Sequence, residues 1–254
     1  MFLLDFGVQW RVQMSNIIQS LWIGDSLSDM EKLCLSSFVN NKHEVHLYTY
    51  SEVTGVPEGV IIKDGREILP EDMIFQYKEH KSYSAFSNYF RYKMLYDKGG
   101  YWVDTDQYCL RPFDFKEEYV FSSEEVLPLN HGNQHVNAGV IKAPRGSAVM
   151  NYAFEQCMTK DKEKLVWGEI GPKMVKGVVE KFNLYEFVKH FTVFCPIPGC
   201  LWHILIDPKV RFNFDENIYG IHLWNEMWRR GDTEKNNTYD KDCLYEKLKV
   251  EQLR

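Results

Sequence analysis

Ser84-Ala85-Phe86-Ser87-Asn88-Tyr89-Phe90-Arg91-Tyr92-Lys93-Met94-Leu95-Tyr96-Asp97-Lys98-Gly99-Gly100-Tyr101-Trp102-Val103-Asp104-Thr105-Asp106 is the stretch from which the fold is read. Its first half spaces apolar residues at 86, 89, 90 and 94 as a helix does, with Lys93 lending its stem. A basic last turn and Gly99 then predict a stop with a left-handed glycine cap. The second half, Tyr101 to Val103, is aromatic and β-branched, so it predicts a strand that ends in two acids.

Upstream, Asn16 to Gly24 is an apolar, β-rich run closed by Gly-Asp-Ser, the pattern of a buried first strand with a loop at its carboxyl end. Ser28 with Glu31 three residues later predicts a capped helix carrying Leu33, Leu35 and Phe38. From Glu44 to Tyr50 the chain alternates Val45, Leu47 and Thr49 against His46, Tyr48 and Tyr50, a strand with two different faces. This β-α-β order predicts an α/β domain with a mainly parallel sheet. Ligands are then expected beyond the carboxyl ends of its strands, where Trp22, Ile23, Gly24 and Tyr50 fall. Ser51 to Ile74 carries Gly55, Pro57, Gly59, Gly65 and Pro70 and reads as turns around a short strand at Val60-Ile61-Ile62.

The chain of 254 residues is long enough for one elaborated domain or two small ones. Hydrophobic residues at 44% and charged residues at 26% are ordinary globular values and exclude a disordered, collagenous or coiled-coil chain. Its net charge of −6 disfavours a duplex nucleic-acid binder, whose affinity needs a basic footprint. No uncharged run approaches the roughly 18 residues of a membrane span, and Asp5 cuts short Phe2-Leu3-Leu4, so neither a transmembrane helix nor a signal peptide is expected. A cytoplasmic location follows as the expectation. Residues 1–13 read as a leader or N-terminal extension, with Met14 as an alternative start. The 6 cysteines form no C-x-x-C pair and read as reduced structural thiols. Aromatic residues reach 15% of the chain; most suit a core, and some suit stacking against planar bases or sugar rings.

In extended chain, residues two apart share a face, so Asp104 and Asp106 are expected to point together at the strand's end. One hard cation, magnesium or manganese, binds few carboxylates and completes its shell with water and phosphate oxygens, so the pair suits a metal diphosphate. Taken alone, Asp-x-Asp is more often a solvated turn; its place at the end of an apolar strand directly after helix-Gly-Gly favours the ligand reading. A calcium loop is excluded because Gln107 to Leu110 supplies no further ligands. A dehalogenase-type phosphotransferase is excluded because its Asp-x-Asp-x-Thr belongs after the first strand, and here the fifth residue is Tyr108.

Ile18 to Gly24, Ala85 to Tyr92, Gly99 to Asp106 and, late in the chain, Ile221-His222-Leu223-Trp224 together resemble glycosyltransferase family 32. That family is related to the catalytic domains of clostridial glucosylating toxins. The resemblance spans roughly residues 16 to 230 and implies a GT-A fold, a nucleotide diphosphate sugar donor, Mn2+ or Mg2+, and retention at the anomeric carbon. It implies that Asp104 touches ribose and metal-bound water, that Asp106 ligates the metal, and that Arg91 reaches the donor. Trp22 resembles the first-strand aromatic that stacks on the base, although a core Trp reads the same way. His222 resembles a histidine near the diphosphate and metal, and Trp224 or Trp228 an aromatic that closes over the donor. Asn137 resembles the Asn of an Asn-Ala segment lining the sugar. At position 88 the family pattern has Asp where this chain has Asn, which keeps an acceptor oxygen and loses the charge.

Gly171-Pro172 is expected to open a helix, Glu169 to face an acceptor, and residues 231–254 to form a charged surface helix or tail. The functional expectation is a retaining hexosyltransferase acting on a glycan hydroxyl, with peripheral membrane contact through a lipid-linked acceptor. Two alternatives stay open: a weakened sugar-nucleotide or glycan-binding module, because of Asn88, and a nucleotide-sugar hydrolase.

Overall fold

The computed structural model describes residues 16–126 and 134–253. The expected leader over 1–13 and the alternative start at Met14 lie outside them. The first four strands are β1 (Ile18–Leu21), β2 (Val45–Thr49), β3 (Val60–Asp64) and β4 (Gly100–Val103), with α1 (Asp29–Asn40) and α2 (Ser84–Lys98) between them. Next come β5 (Gln107–Cys109), β6 (Val120–Glu125), β7 (Gln134–Ala143), α3 (Ala148–Met158) and α4 (Pro172–Lys181). β8 (Gly220–His222), α5 (Asn225–Arg230) and α6 (Leu244–Leu253) complete the order.

The central sheet runs β3-β2-β1-β4-β7-β6. Its first four strands are parallel, and β7 is antiparallel to both β4 and β6. The protein is thus a mixed α/β fold with a mostly parallel sheet between helices. The two-faced reading of β2 holds in detail: Val45 and Leu47 join the core on the α1 side, whereas Tyr48 joins the core under α2, α3 and α4. β4 divides the same way, with Tyr101 and Val103 on one side and Trp102 on the other. Phe86, Tyr89 and Phe90 of α2 are fully buried, so this part of the aromatic excess is core.

Local signals act as read. The Glu31 carboxylate accepts the Ser28 N–H at 2.8 Å, closing the start of α1. Pro172 occupies the first turn of α4. The strand expected at Val60 to Ile62 runs on to Asp64 as the outer edge of the sheet. Residues 231–253 depart from the expected surface tail: Leu244, Tyr245 and Leu248 of α6 are buried with Trp228 and with Met30 and Leu33 of α1. A helix of 10 residues is marginal alone. Burying a leucine contributes about 1.5–3 kcal/mol, so tertiary packing holds it.

Gly99 closes α2 with φ +68° and ψ −168°. The positive φ was expected, but the backbone is in the mirror-extended region, not the left-handed helical one, because the chain must turn directly into β4. Its carbonyl accepts the Gln19 side-chain N–H at 2.7 Å, tying the turn to β1. A Cβ added at Gly99 would meet the Arg145 backbone nitrogen at 2.5 Å. Gly99→Ala therefore combines a disfavoured backbone with a collision against main chain. It is expected to lower stability by about 2 kcal/mol or more, read from urea unfolding; an unchanged midpoint would contradict this geometry.

Candidate active site

A cavity of about 520 Å³ opens beyond the carboxyl ends of β1 and β4. Its chemistry begins in the turn after β4. The Gln107 N–H donates to the Asp104 carbonyl at 3.0 Å, and the Asp104 N–H donates to the Gly139 carbonyl of β7 at 2.8 Å. Asp104 to Gln107 is thus a turn. The two carboxylates converge because the chain reverses, not because an extended strand alternates its side chains.

Asp104 is held from α2 and β4. Its Oδ1 accepts the Trp102 indole N–H at 2.8 Å and pairs with Arg91 Nη2 at 3.0 Å. The Arg91 guanidinium also donates to the Ala138 carbonyl and the Ser87 hydroxyl and lies 4.7 Å over the Trp102 ring. Burial lifts the Asp104 carboxyl above its ordinary range; Arg91 pulls the other way, and the neighbouring Asp106 adds to the rise.

Asp106 is held from the C-terminal third. His222 Nε2 lies 3.2 Å from one carboxylate oxygen, and the Asn225 N–H donates to the other at 2.8 Å. Burial opposes ionisation, yet the His222 charge and these hydrogen bonds prevail and draw the carboxyl down to about 2. For His222 itself burial favours the neutral ring, and Asp106 overcomes this and raises its pKa. The Nδ1 atom of His222 is buried without a hydrogen-bond partner among the described residues. Trp224, between His222 and Asn225, has φ +60° and ψ +47°. That conformation costs a bulky residue about 1–2 kcal/mol. It begins α5 and turns the Asn225 N–H onto Asp106.

Asp104, Asp106 and His222 each present a ligand atom within 4.8 Å of the others. The cavity wall also includes Trp22, Ile23, Asn88, Arg91, Asn137 and Trp224. Asn88, one turn before Arg91, donates to the Ser84 carbonyl at 2.7 Å and leaves its amide oxygen for other contacts. Across from it lies Gly171, where an added Cβ would approach that oxygen to 3.2 Å. The Asn137 oxygen accepts the Gly139 N–H at 3.2 Å and the Ser122 hydroxyl. Trp22 is half-buried, and its indole N–H has no partner among the described residues.

Three expected ligand contacts do not reach the cavity. Tyr50 turns into the core beside Phe86 and gives its hydroxyl to the Leu69 carbonyl at 2.8 Å. Trp228 is fully buried against Tyr245 and donates to the Leu223 carbonyl at 2.8 Å. Gly24 lies behind Trp22, close enough that a Cβ there would come within 3.2 Å of the indole nitrogen. Glu169 is likewise engaged elsewhere, with Lys160 at 2.8 Å. The reading from sequence missed Tyr77, Glu124, Trp167, Glu226, Arg229 and Arg230, all of which line the cavity. Only the Glu226 pairing with Arg229 and Arg230, at helical spacing, left a trace in the sequence.

Residues 28–125 match the family described as "Glycosyltransferase sugar-binding region containing DXD motif". The matched segment contains Asn88, Arg91, Asp104 and Asp106. It defines the class: the chain is an enzyme of the transferase kind, with a DXD-type glycosyltransferase region. No curated protein sequence matches it. Among solved structures, the chain is similar to the PaToxG glycosyltransferase at 16% identity and a TM-score of 0.48, over 66% of this chain and 70% of that one. It is similar to the UDP-bound glycosyltransferase domain of the YGT toxin at 11% identity and a TM-score of 0.40, over 92% and 82% of the two chains. For the galactosyltransferase LgtC, solved with donor and acceptor sugar analogues, the values are 11% and 0.35, over 68% and 72%.

The His222–Asp106 pair carries a pH signature. A histidine raised by folding contributes stability that is complete below its ordinary 6.5 and fades as pH climbs through the folded value. A lowered aspartate contributes above its ordinary 3.8 and fades as pH falls toward about 2. In metal-free protein the stability gap between wild type and His222→Gln is therefore expected to be widest between pH 3.8 and 6.5 and to shrink in the alkaline direction. Urea unfolding across that range measures it, and a gap independent of pH would count against the pairing.

Proposed function

We propose that the chain is a retaining, metal-dependent glycosyltransferase of GT-A fold, akin to family 32. It moves a hexose from a nucleotide diphosphate sugar, a UDP-sugar, to a glycan hydroxyl. The observation that carries this reading is the convergence of Asp104, Asp106 and His222 in one cavity at the sheet's carboxyl edge. Two carboxylates are the hard oxygen donors that Mn2+ or Mg2+ prefers, and neither is used up by its protein partners, since a carboxylate offers about four acceptor sites. The residues fit such an ion: Asp106 as ligand, Asp104 behind it, and His222 as a further ligand or as the group that keeps Asp106 ionised. When bound, the cation supplies charge stabilisation for the departing diphosphate.

The chain's own residues do the rest. Trp22 offers an indole face to the base, with Ile23 beside it. Arg91 fixes Asp104 and adds positive charge at the cavity floor. Asn88 presents its amide to sugar hydroxyls, Asn137, whose own oxygen is held by Ser122 and Gly139, lines the sugar side beside it, and Trp224 walls the site at the start of α5. We place the reaction in surface polysaccharide or glycan synthesis, in the cytoplasm, on an acceptor that is lipid-linked and brings the enzyme to the membrane surface. No helix among the described residues is long and apolar enough to cross a membrane.

Asn88 supports a second reading, a sugar-nucleotide or glycan-binding module with weakened catalysis. The test is donor turnover with Mn2+, with and without glycan acceptors. Asp106→Ala is expected to lower metal-dependent turnover by about 100- to 1,000-fold, with the thermal unfolding midpoint showing that the variant is folded. Wild-type turnover in that variant would overturn the site assignment. Asn88→Asp is expected to raise turnover severalfold; no metal-dependent turnover in either wild type or Asn88→Asp favours the binding module. Sugar release without any gain from acceptor identifies a hydrolase.

A further inference from the structure

Four carboxylates line the cavity, and three are already held. Asp104 pairs with Arg91, Asp106 with His222 and the Asn225 N–H, and Glu226 with Arg229 and Arg230. Glu124, near the end of β6, differs. Its carboxyl has no hydrogen bond and no ion pair among the described residues, and it feels only the His222 charge at a distance. Burial pushes that carboxyl above its ordinary range.

Its position is defined by the strand. Glu124 pairs with His135 of β7, beyond the irregularity between Phe121 and Ser123. It lines the cavity together with Asn137, and Cys195, whose sulfur accepts an Asn137 N–H at 3.4 Å, feels its charge, so Glu124 belongs to the Asn137 wall, whereas Asn88 projects from α2. The protein elsewhere satisfies its buried acids with some care, and a half-buried carboxylate that faces a cavity with no partner among the described residues is open to donors that a ligand brings. Sugar hydroxyls are such donors, and their bonds to a carboxylate are charge-assisted. Asn88 offers its amide oxygen and one N–H for this purpose and no charge, its other N–H being given to the Ser84 carbonyl.

We propose that Glu124 is a specificity-determining residue that binds hydroxyls of the transferred sugar from the β6–β7 wall. The proposal rests on the donor reading above, and its test separates the two. With Mn2+ present, calorimetric titration compares UDP-glucose, UDP-galactose, UDP-N-acetylglucosamine and GDP-mannose, each beside its free nucleoside diphosphate. Wild type is expected to bind at least one nucleotide sugar more tightly than its nucleoside diphosphate.

In Glu124→Gln that margin is expected to fall by about 10-fold or more, with affinity for the free diphosphate unchanged. Glu124→Ala should behave in the same way, and both variants should unfold at the wild-type temperature within a few degrees. A margin retained in both variants overturns the proposal and leaves the donor reading standing. Equal losses for sugar nucleotide and free diphosphate assign Glu124 a structural role and also overturn it, as does a wild type without any margin. A wild type that binds neither kind of probe overturns the donor reading and the proposal with it.

Discussion

The Asp106 carboxylate has to stay ionised inside the protein, and much of the chain's arrangement follows from that. One oxygen meets His222 and the other the Asn225 N–H. Both partners lie more than 100 residues away in sequence, so their arrival needs a device. The device is the short antiparallel ladder of β5 and β8, in which Gln107 lies opposite His222 and Cys109 opposite Gly220. Its tightness shows at Gly220, where a Cβ would come within 2.5 Å of the Gln107 side chain and 2.8 Å of the Tyr108 carbonyl. The left-handed backbone of Trp224 is the second component. Its cost of about 1–2 kcal/mol is offset by a hydrogen bond to a charged acceptor, about 1.5–3 kcal/mol, and by the Trp224 indole bond to the Ile197 carbonyl at 2.8 Å.

Asp104 poses the same problem and receives a different solution. Arg91 is 4% exposed, and its guanidinium is divided among Asp104, the Ala138 carbonyl, the Ser87 hydroxyl and the Trp102 ring. Removing one partner of such a buried pair typically costs about 3–5 kcal/mol, since the other is left uncompensated. The helix that carries Arg91 is therefore fixed on two sides at once. Phe86, Tyr89 and Phe90 anchor its apolar side, and Asn88 and Arg91 present its polar side to the cavity. The site is thus braced by the same side chains that would act in it.

Local signals were legible because they are local. The Ser28–Glu31 box, the alternation in β2 and the helix-Gly-Gly-strand passage at Gly99 each depend on neighbours a few residues away; the first two formed as read, and the third kept its stop at Gly99 with a mirror-extended backbone in place of the left-handed cap. Arg91, Asp104, Asp106 and His222, which the family resemblance had singled out, lie together at the cavity. What escaped was decided by packing between distant segments. Tyr50 ends a strand one place outward from β1 and is drawn under α2 by Phe86 and Phe90. Trp228 is claimed by α6, whose charged sequence hides three buried apolar positions from a periodicity reading. Glu124 looks in sequence like one more polar residue at a strand end, and only the pairing of β6 with β7 turns it toward the cavity.

The two acids of the pair, finally, are not equivalent, and the inequality has a direction. Asp106 is buried and Asp104 half-buried, which favours the protonated form of each. Two carboxylates this close also oppose each other's ionisation. The protein resolves the conflict by giving Asp106 an imidazole and a main-chain N–H on separate oxygens, so that its carboxyl is pulled below the ordinary range while Asp104 is pushed above it. Environments that drive two neighbouring carboxyls apart divide their roles. Asp106 is the one held ionised well below the ordinary carboxylate range, the property a direct cation ligand needs. Asp104, balanced against Arg91, adds a second charge whose strength depends on whatever else enters the cavity. On the proposed reading, Asp106 and Asp104 would hold a divalent cation, whose charge would favour the ionised form of both.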